Sequence, residues 1–277
     1  MTLRPDERTV RRLELHEARA HAMRGGRSVR DLGDAILLHD ELDPDPFWNR
    51  LESVRLPVDD RAFRHRLDEL VVLFATLGRR PHVWASPGYQ QPADLEARLA
   101  RHGFVDLGRG LLMALTDADR PRSLLAQPLR TGVTLERIAG DAGERRDLLA
   151  AEIALVSGEA FGVDPGGRAG MVEDFLGLIG TVGFSAYLAR VDGDPAAIAK
   201  ATTFDGATYL STIGTRPSHR GRGLAGVVTA AAALDAVDAR SEWIYLGVFE
   251  SNLTARRLYD RLGFEPIGEP AGDWLMA

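Results

Sequence analysis

The chain has 277 residues, 45% of them hydrophobic, with 34 Lys and Arg against 40 Asp and Glu, a formal charge of −6. That length is enough for about two domains with full cores, and the mildly acidic balance gives no electrostatic case for nucleic acid or an anionic membrane as partner. The absence of cysteine removes disulfides, thiolate nucleophiles and cysteine metal sites together.

The N-terminus is charged and lacks the apolar core of a signal peptide, and the longest apolar run, residues 223–234, is too short to span a bilayer. A soluble cytoplasmic protein, monomer or homodimer, is the expectation. The seven histidines show no metal-ligand spacing, so no metal is expected. Lys200 is the sole lysine, which marks the many arginines as a bias of composition and lowers the weight of each.

Residues 6–23 place Val10, Leu13 and Ala20 on one helical face, with Arg and Glu elsewhere, and Gly25-Gly26 ends the helix. Residues 34–39 read as a short strand, and a proline-rich loop follows over 43–47. Asp59-Asp60 caps a helix to about Leu77, with Phe63, Leu67, Leu70, Val71 and Phe74 at helical spacing. Residues 82–86 form a strand, 92–102 a helix opened by Pro92, and 103–107 a strand entry.

The polar stretch 116–132, with two prolines, reads as a linker. Beyond it come a strand over 133–138, a helix over 142–160, and a glycine-bearing loop with a short helix over 161–180. Residues 185–191 and 196–204 form a hairpin across Asp192-Gly193-Asp194-Pro195. Near the C-terminus, a strand over 243–249, a helix from Asn252 and Gly263-Phe264 repeat the order of the strand over 82–86, the helix over 92–102 and Gly103-Phe104. Leu112-Met113 and Leu275-Met276 close the two segments, and the parallel points to a duplicated unit.

The chemistry concentrates between them. Residues 207–213 are rich in β-branched and aromatic types and read as a buried strand, Pro217 ends it, and Leu224 opens an Ala-rich helix. A helix start leaves backbone N–H groups unpaired and carries partial positive charge, so a phosphate can sit there if the backbone can approach it. Gly221 and Gly223 permit that approach, and Arg220 and Arg222 add charge.

Read as G-x-G-x-x-G, Gly221, Gly223 and Gly226 match the dinucleotide fingerprint, with Glu250 as the ribose acid, and imply a nicotinamide dehydrogenase. Against it, Pro217-Ser218-His219-Arg220 separate the strand from the first glycine, and too few residues remain for the βα units that fold requires. Read as R-x-x-G-x-A, Arg220, Gly223 and Ala225 resemble the pyrophosphate loop (Q/R-x-x-G-x-G/A) of the GNAT superfamily of N-acetyltransferases. The block from Asn252 to Phe264, with Ala255, Leu258, Tyr259 and Gly263, is similar to that family's N-x-x-A-x-x-L-Y-x-x-x-G-F helix.

The resemblance implies an α/β (α+β) fold of two GNAT-like domains, each a mixed, mostly antiparallel sheet with helices on both faces, and a splayed fourth and fifth strand in the second. The expected divisions are 1–116, a linker over 117–132, and 133–277. The first copy has Leu99 where Tyr259 stands and Pro92 where Asn252 stands, and it lacks the arginine-glycine loop, so it is expected to be degenerate and to wall the acceptor site.

The implied co-substrate is acetyl-CoA and the implied partner a small-molecule or peptide amine. Backbone groups of Ile213, Gly214 and Thr215 would pair with the pantetheine amides, Thr215 standing where the family often has valine. The N–H groups of Gly221, Arg222, Gly223, Leu224, Ala225 and Gly226 would take the pyrophosphate beside Arg220. Tyr259 is a general acid for the leaving thiolate or a core tyrosine; Asn252 contacts the cofactor or caps its helix. Glu250 or Asp205 relays the amine's proton through water, or both are solvated strand-end carboxylates. His219 is expected on the surface, adding charge near phosphate, and Asp164, Glu173 and Asp174 attract a cationic amine or are solvated. A CoA-binding sensor or regulatory module without catalysis is the alternative function.

Overall fold

The computed structural model describes residues 3–23, 25–86 and 89–277. Helix α1 (Glu7–His21) starts at Asp6, whose carboxylate accepts the Thr9 N–H at 2.7 Å and so satisfies a first-turn donor. Leu13 and Ala20 are buried as the periodicity requires. Glu14 and Glu17 lie on that same helical stripe and His16 borders it, and all three are buried with it, so the face turned inward carries ionisable groups that the sequence reading placed elsewhere.

Around α1 the chain lays down β1 (Arg27–Asp31), β2 (Ile36–Asp40), β3 (Arg50–Glu52), α2 (Asp60–Thr76), β4 (His82–Ala85), α3 (Leu95–Arg101) and β5 (Phe104–Leu115). Asp59 caps α2 and its apolar stripe, Phe63, Leu67, Leu70 and Phe74, forms a core with Leu51, Val83 and Leu99. Each such side chain contributes roughly 1.5–3 kcal/mol by leaving water. Pro92 does not open α3: its carbonyl accepts the Leu95 N–H at 3.0 Å and the helix begins there.

The stretch expected as a linker contains α4 (Asp119–Leu125), in whose first turn Pro121 is tolerated because no intrahelical donor is lost. Then follow β6 (Val133–Ala139), α5 (Arg146–Phe161), α6 (Pro165–Leu178), β7 (Phe184–Val191), β8 (Asp194–Phe204), β9 (Ala207–Thr215), α7 (Leu224–Asp238), β10 (Trp243–Phe249), α8 (Leu253–Arg261) and β11 (Phe264–Met276). Helix α6 is longer than the short helix expected over 161–180. Asp164 caps it, Pro165 occupies its first position, and it packs along α5, which together override four glycines in its sequence.

The chain forms two compact units that are not consecutive halves. The first takes the described residues up to Leu112 together with Val248–Arg256 and Pro266–Ala277; the second takes Met113–Gly247 and Arg257–Glu265. In the first, the strand order is β1-β2-β3-β4-β11-β5. Strands β1, β2 and β3 are antiparallel neighbours, β3 and β4 are parallel, and β11 runs antiparallel to β4 with Trp274 opposite Val83. Trp274 thereby joins the core of a unit built mostly from residues far upstream.

In the second unit the order is β10-β9-β8-β7-β6, antiparallel except for the β9–β10 pair. The hairpins turn at Asp192-Gly193 and Asp205-Gly206, whose positive φ angles of 51° and 86°, and 46° and 75°, are those of two-residue turns that follow the strand twist. The first turn is thus tighter than the four-residue one expected. Helix α7 packs on β7, β8 and β9, and α5 packs on β8 and β9.

Candidate active site

The site is built where β9 leaves its parallel neighbour. Registered pairs run from Trp243↔Ala207 to Leu246↔Leu210 and stop, while β9 continues to Thr215. The cause lies on the other edge of β9. Lys200 pairs with Ser211 and Ile198 with Gly214, so Thr212 and Ile213 together oppose Ala199. That is a β-bulge, with Thr212 at φ 51°, and a bulge bends the strand that carries it. The splayed fourth and fifth strands implied by the sequence are therefore present, and the bulge is what parts them.

Backbone direction alternates along a strand. The Arg216 N–H donates to the Ala196 carbonyl at 2.9 Å, so Gly214 also faces β8, and the backbone groups of Ile213 and Thr215 face the opened edge. Gly214 has a packing role: a Cβ there would lie 2.6 Å from Ala160 Cβ and 3.5 Å from the Phe161 ring. Its bare backbone lets the end of α5 seat against β9.

After a short 3-10 turn over Pro217–His219, the chain reaches the glycine loop. Gly221 and Gly223 have φ of 76° and 79°, a region other residues avoid, and a Cβ at either would meet nothing within 4 Å. Among the described residues, none accepts a hydrogen bond from the N–H groups of Gly221, Arg222, Gly223, Leu224 or Ala225. The Gly226 N–H is already given to the Gly223 carbonyl at 3.0 Å, and the missing side chain of Gly226 accommodates Leu258 of α8 and Leu124 of α4. Five adjacent free donors thus crown α7, an arrangement suited to anionic oxygens.

Charged side chains fix this loop. Arg220 folds back, its guanidinium donating to the carbonyls of Thr215 at 3.3 Å and Ala160 at 3.2 Å, while Arg222 is exposed. Arg216 donates to Glu159 and to Asp194, each at 2.8 Å; these bonds, Glu159 foremost, raise its pKa. His219 is not on the surface: it is 9% exposed and its Nε2 lies 2.8 Å from Asp194. The sequence reading missed Asp194, Arg216, Glu159 and Phe161 as site residues, since the bonds joining the first three span 22 to 57 positions.

Tyr259 on α8 is buried at 5% exposure, with its ring 6.1 Å from that of Phe264. Burial alone pushes its pKa up to about 12, so the phenol is protonated throughout the physiological range. No described residue hydrogen-bonds its hydroxyl, which leaves the proton available. Asn252 caps the same helix by accepting the Ala255 N–H at 3.1 Å.

Asn252 and Glu250 belong to the segment held in the first unit, where the Glu250 N–H donates to the Arg109 carbonyl at 2.8 Å. Asp205 is separated from the loop: it occupies the turn at the start of β9, roughly 30 Å along the strand from Thr215 at ~3.3 Å per residue. Asp164 is an N-cap, accepting from the Gly167 N–H at 3.0 Å. Among the described residues, no cluster of three or more His, Asp or Glu could hold a metal ion, and no helix is long and apolar enough to cross a membrane.

The family model described as FR47-like protein matches residues 188–271, the part of the chain that contains the bulge, the loop and Tyr259. The mycothiol acetyltransferase of Beutenbergia cavernae is 32% identical over 215 residues, which cover 73% of this chain and 68% of that protein. A GCN5-related N-acetyltransferase from Kribbella flavida has the same fold with a TM-score of 0.67 at 25% identity, covering 95% of this chain and 94% of its own. A tandem GNAT protein from the clavulanic acid biosynthesis pathway shares the fold at 18% identity, with a TM-score of 0.62 over 92% of this chain and 84% of its own. The chain belongs to the GCN5-related N-acetyltransferase (GNAT) superfamily and is an acetyltransferase.

Proposed function

We propose that this acetyltransferase takes its acetyl group from acetyl-CoA and delivers it directly to an amine held in the same complex. The observation that carries the reading is the row of unpartnered N–H groups from Gly221 to Ala225 beside the opened edge of β9. The residues fit the co-substrate: the row suits a diphosphate, and the opened edge of β9, where the Ile213 backbone and the Thr215 N–H face outward, suits the amides of the pantetheine arm. When bound, acetyl-CoA supplies an activated thioester.

The protein's part is to hold and to move protons. The loop donors and the start of α7 bind the diphosphate, with Arg220 and Arg222 adding charge. Tyr259, kept protonated by burial, gives its proton to the departing sulfur. Glu250, at the end of β10, receives the proton shed by the amine through water. The name of the Beutenbergia cavernae relative makes mycothiol chemistry the first acceptor class to assay.

The test is calorimetric binding of CoA combined with thiol release from acetyl-CoA over a panel of amines. Binding with amine-dependent thiol release is the expected result. Tight binding with no turnover across the panel would favour a sensor, and failure to bind CoA would remove the reading altogether.

A further inference from the structure

The first unit repeats the parallel strand pair of the site but closes it. Strands β3 and β4 pair at Leu51↔Val83 and then part, and Ser53, just past β3, has φ 54°, close to the 51° of Thr212 in β9. In the second unit no backbone of the described residues rejoins the opening beyond that point. Here it is zipped again by the chain itself: the Leu56 N–H donates to the Gln91 carbonyl at 2.7 Å, and the Gln91 N–H donates to the Val54 carbonyl at 3.1 Å. Arg55 and Gln91 form a parallel bridge between these bonds. The backbone of Gln91 thus occupies the edge that a pantetheine arm would need.

The gap left between the two closures is filled from α1. Glu14, 7% exposed, accepts from the Ser53 hydroxyl at 2.6 Å and also from that of Ser86, which follows β4. One carboxyl therefore ties the two diverging strands together. The helix start is taken as well. Two residues separate Pro57 from the beginning of α2, against six between Pro217 and α7, so there is no glycine loop. The Asp59 carboxylate accepts from the Arg61 and Ala62 N–H groups at 3.1 and 2.9 Å, placing a negative charge where a diphosphate would have to bind.

We infer that the first unit fills its own cofactor cleft, with Gln91 in place of the pantetheine amides, Glu14 across the gap and Asp59 at the helix start, so that the chain takes up a single CoA. The count of one rests on the reading proposed for the second unit; the closure of the first does not. Removing one of the three stand-ins leaves the other two in place, so the cleft is shut by design of the chain and not by one residue.

Two measurements on the full chain test this. Equilibrium titration with CoA is expected to saturate at one per chain in the wild type, and Gly223→Val, or Arg220→Glu should the former fold poorly, is expected to weaken uptake at least 100-fold with no residual site. Hydrogen exchange is expected to show the Leu56 and Gln91 amides equally slow with and without CoA, while those of residues 221–225 slow on its addition. Saturation at two, a site surviving in both variants, or Leu56 and Gln91 amides that exchange fast until CoA arrives would each overturn the inference. No uptake by the wild type, with Leu56 and Gln91 slow throughout, would support closure of the first unit and refute the reading of the second.

Discussion

His219 Nε2 lies 2.8 Å from Asp194 Oδ2, and this contact fastens the entrance of the glycine loop to the first residue of β8. Asp194 also accepts from Arg216 at 2.8 Å, so one carboxylate holds both sides of the turn that precedes Gly221. The loop's free donors are thereby set in place before any ligand arrives, which reduces the ordering that binding would otherwise require.

Asp194→Asn keeps the shape and removes the charge, and it is expected to weaken CoA binding about 5- to 10-fold through a looser loop. The pH dependence follows from sign. The bond from His219, then that from Arg216, lowers the Asp194 pKa, so its stabilisation is present above the ordinary carboxylate range near ~4 and is lost as pH falls through the lower folded value. Urea denaturation between pH 3 and 7 should show a shallower acid limb in the variant. The difference will be small because the carboxylate is half exposed; identical limbs would show that the contact contributes nothing.

The two glycines flanking the start of α7 are expected to behave differently. Gly223 sits at φ 79° with open space around it, so Gly223→Ala costs only backbone strain, about 1–2 kcal/mol, yet shifts the free donors and abolishes CoA binding. Gly226 is helical, its N–H is already bonded, and an added Cβ would make an ordinary 3.4 Å contact with Leu258. Gly226→Ala should leave CoA affinity within about twofold and stabilise the fold by up to ~1 kcal/mol through helix propensity. Thermal melts and titrations of the pair check this; loss of CoA binding in Gly226→Ala would give that N–H a role in the anion site.

The contrast shows what a sequence can disclose. The strand, glycine loop and α7 were legible because each depends on local chemistry: β-branched residues over 207–213, Pro217, left-handed glycines and an Ala-rich run. The bulge at Thr212 was not, since it is a matter of register against Ala199 and nothing in the Thr-Ile pair announces it. Strands β1 and β3 were passed over because Arg27, Arg30, Arg50 and Glu52 are poor strand formers, and their conformation is imposed by pairing with β2. The burial of His219 and the return of Trp274 to a core built largely before residue 105 depend on contacts distant in sequence, which no window of residues contains.

Tyr259→Phe isolates the hydroxyl. The ring stays buried against Phe264, so the fold should change by less than ~0.5 kcal/mol, while thiol release falls about 10²- to 10⁴-fold as expected for loss of a general acid. CoA affinity should not move. Because burial holds the phenol's pKa at about 12, the wild-type rate should show no alkaline fall attributable to this group below pH 10. A kcat unchanged in Tyr259→Phe would return the residue to a purely packing role.

Glu14 offers a test of the first unit through pH alone. Burial, aided by the neighbouring charges of Glu52 and Glu17 and opposed by the hydroxyls of Ser53 and Ser86, pushes its carboxyl up to about 7 from an ordinary 4.5. The folded protein then holds a proton that the unfolded chain has released, so stability falls as pH rises from about 4.5 to about 7 and levels off above that. Glu14→Gln cannot ionise and can still hydrogen-bond both serines through its amide. It should match the wild type near pH 4.5 and exceed it at pH 8 by up to about 3 kcal/mol, the equivalent of that displacement at 1.36 kcal/mol per pH unit. Urea denaturation of both proteins at the two pH values reads the difference directly. A gap that is the same at pH 4.5 and pH 8 would mean that Glu14 ionises as an exposed carboxylate does, and that the bridge between Ser53 and Ser86 is open to water.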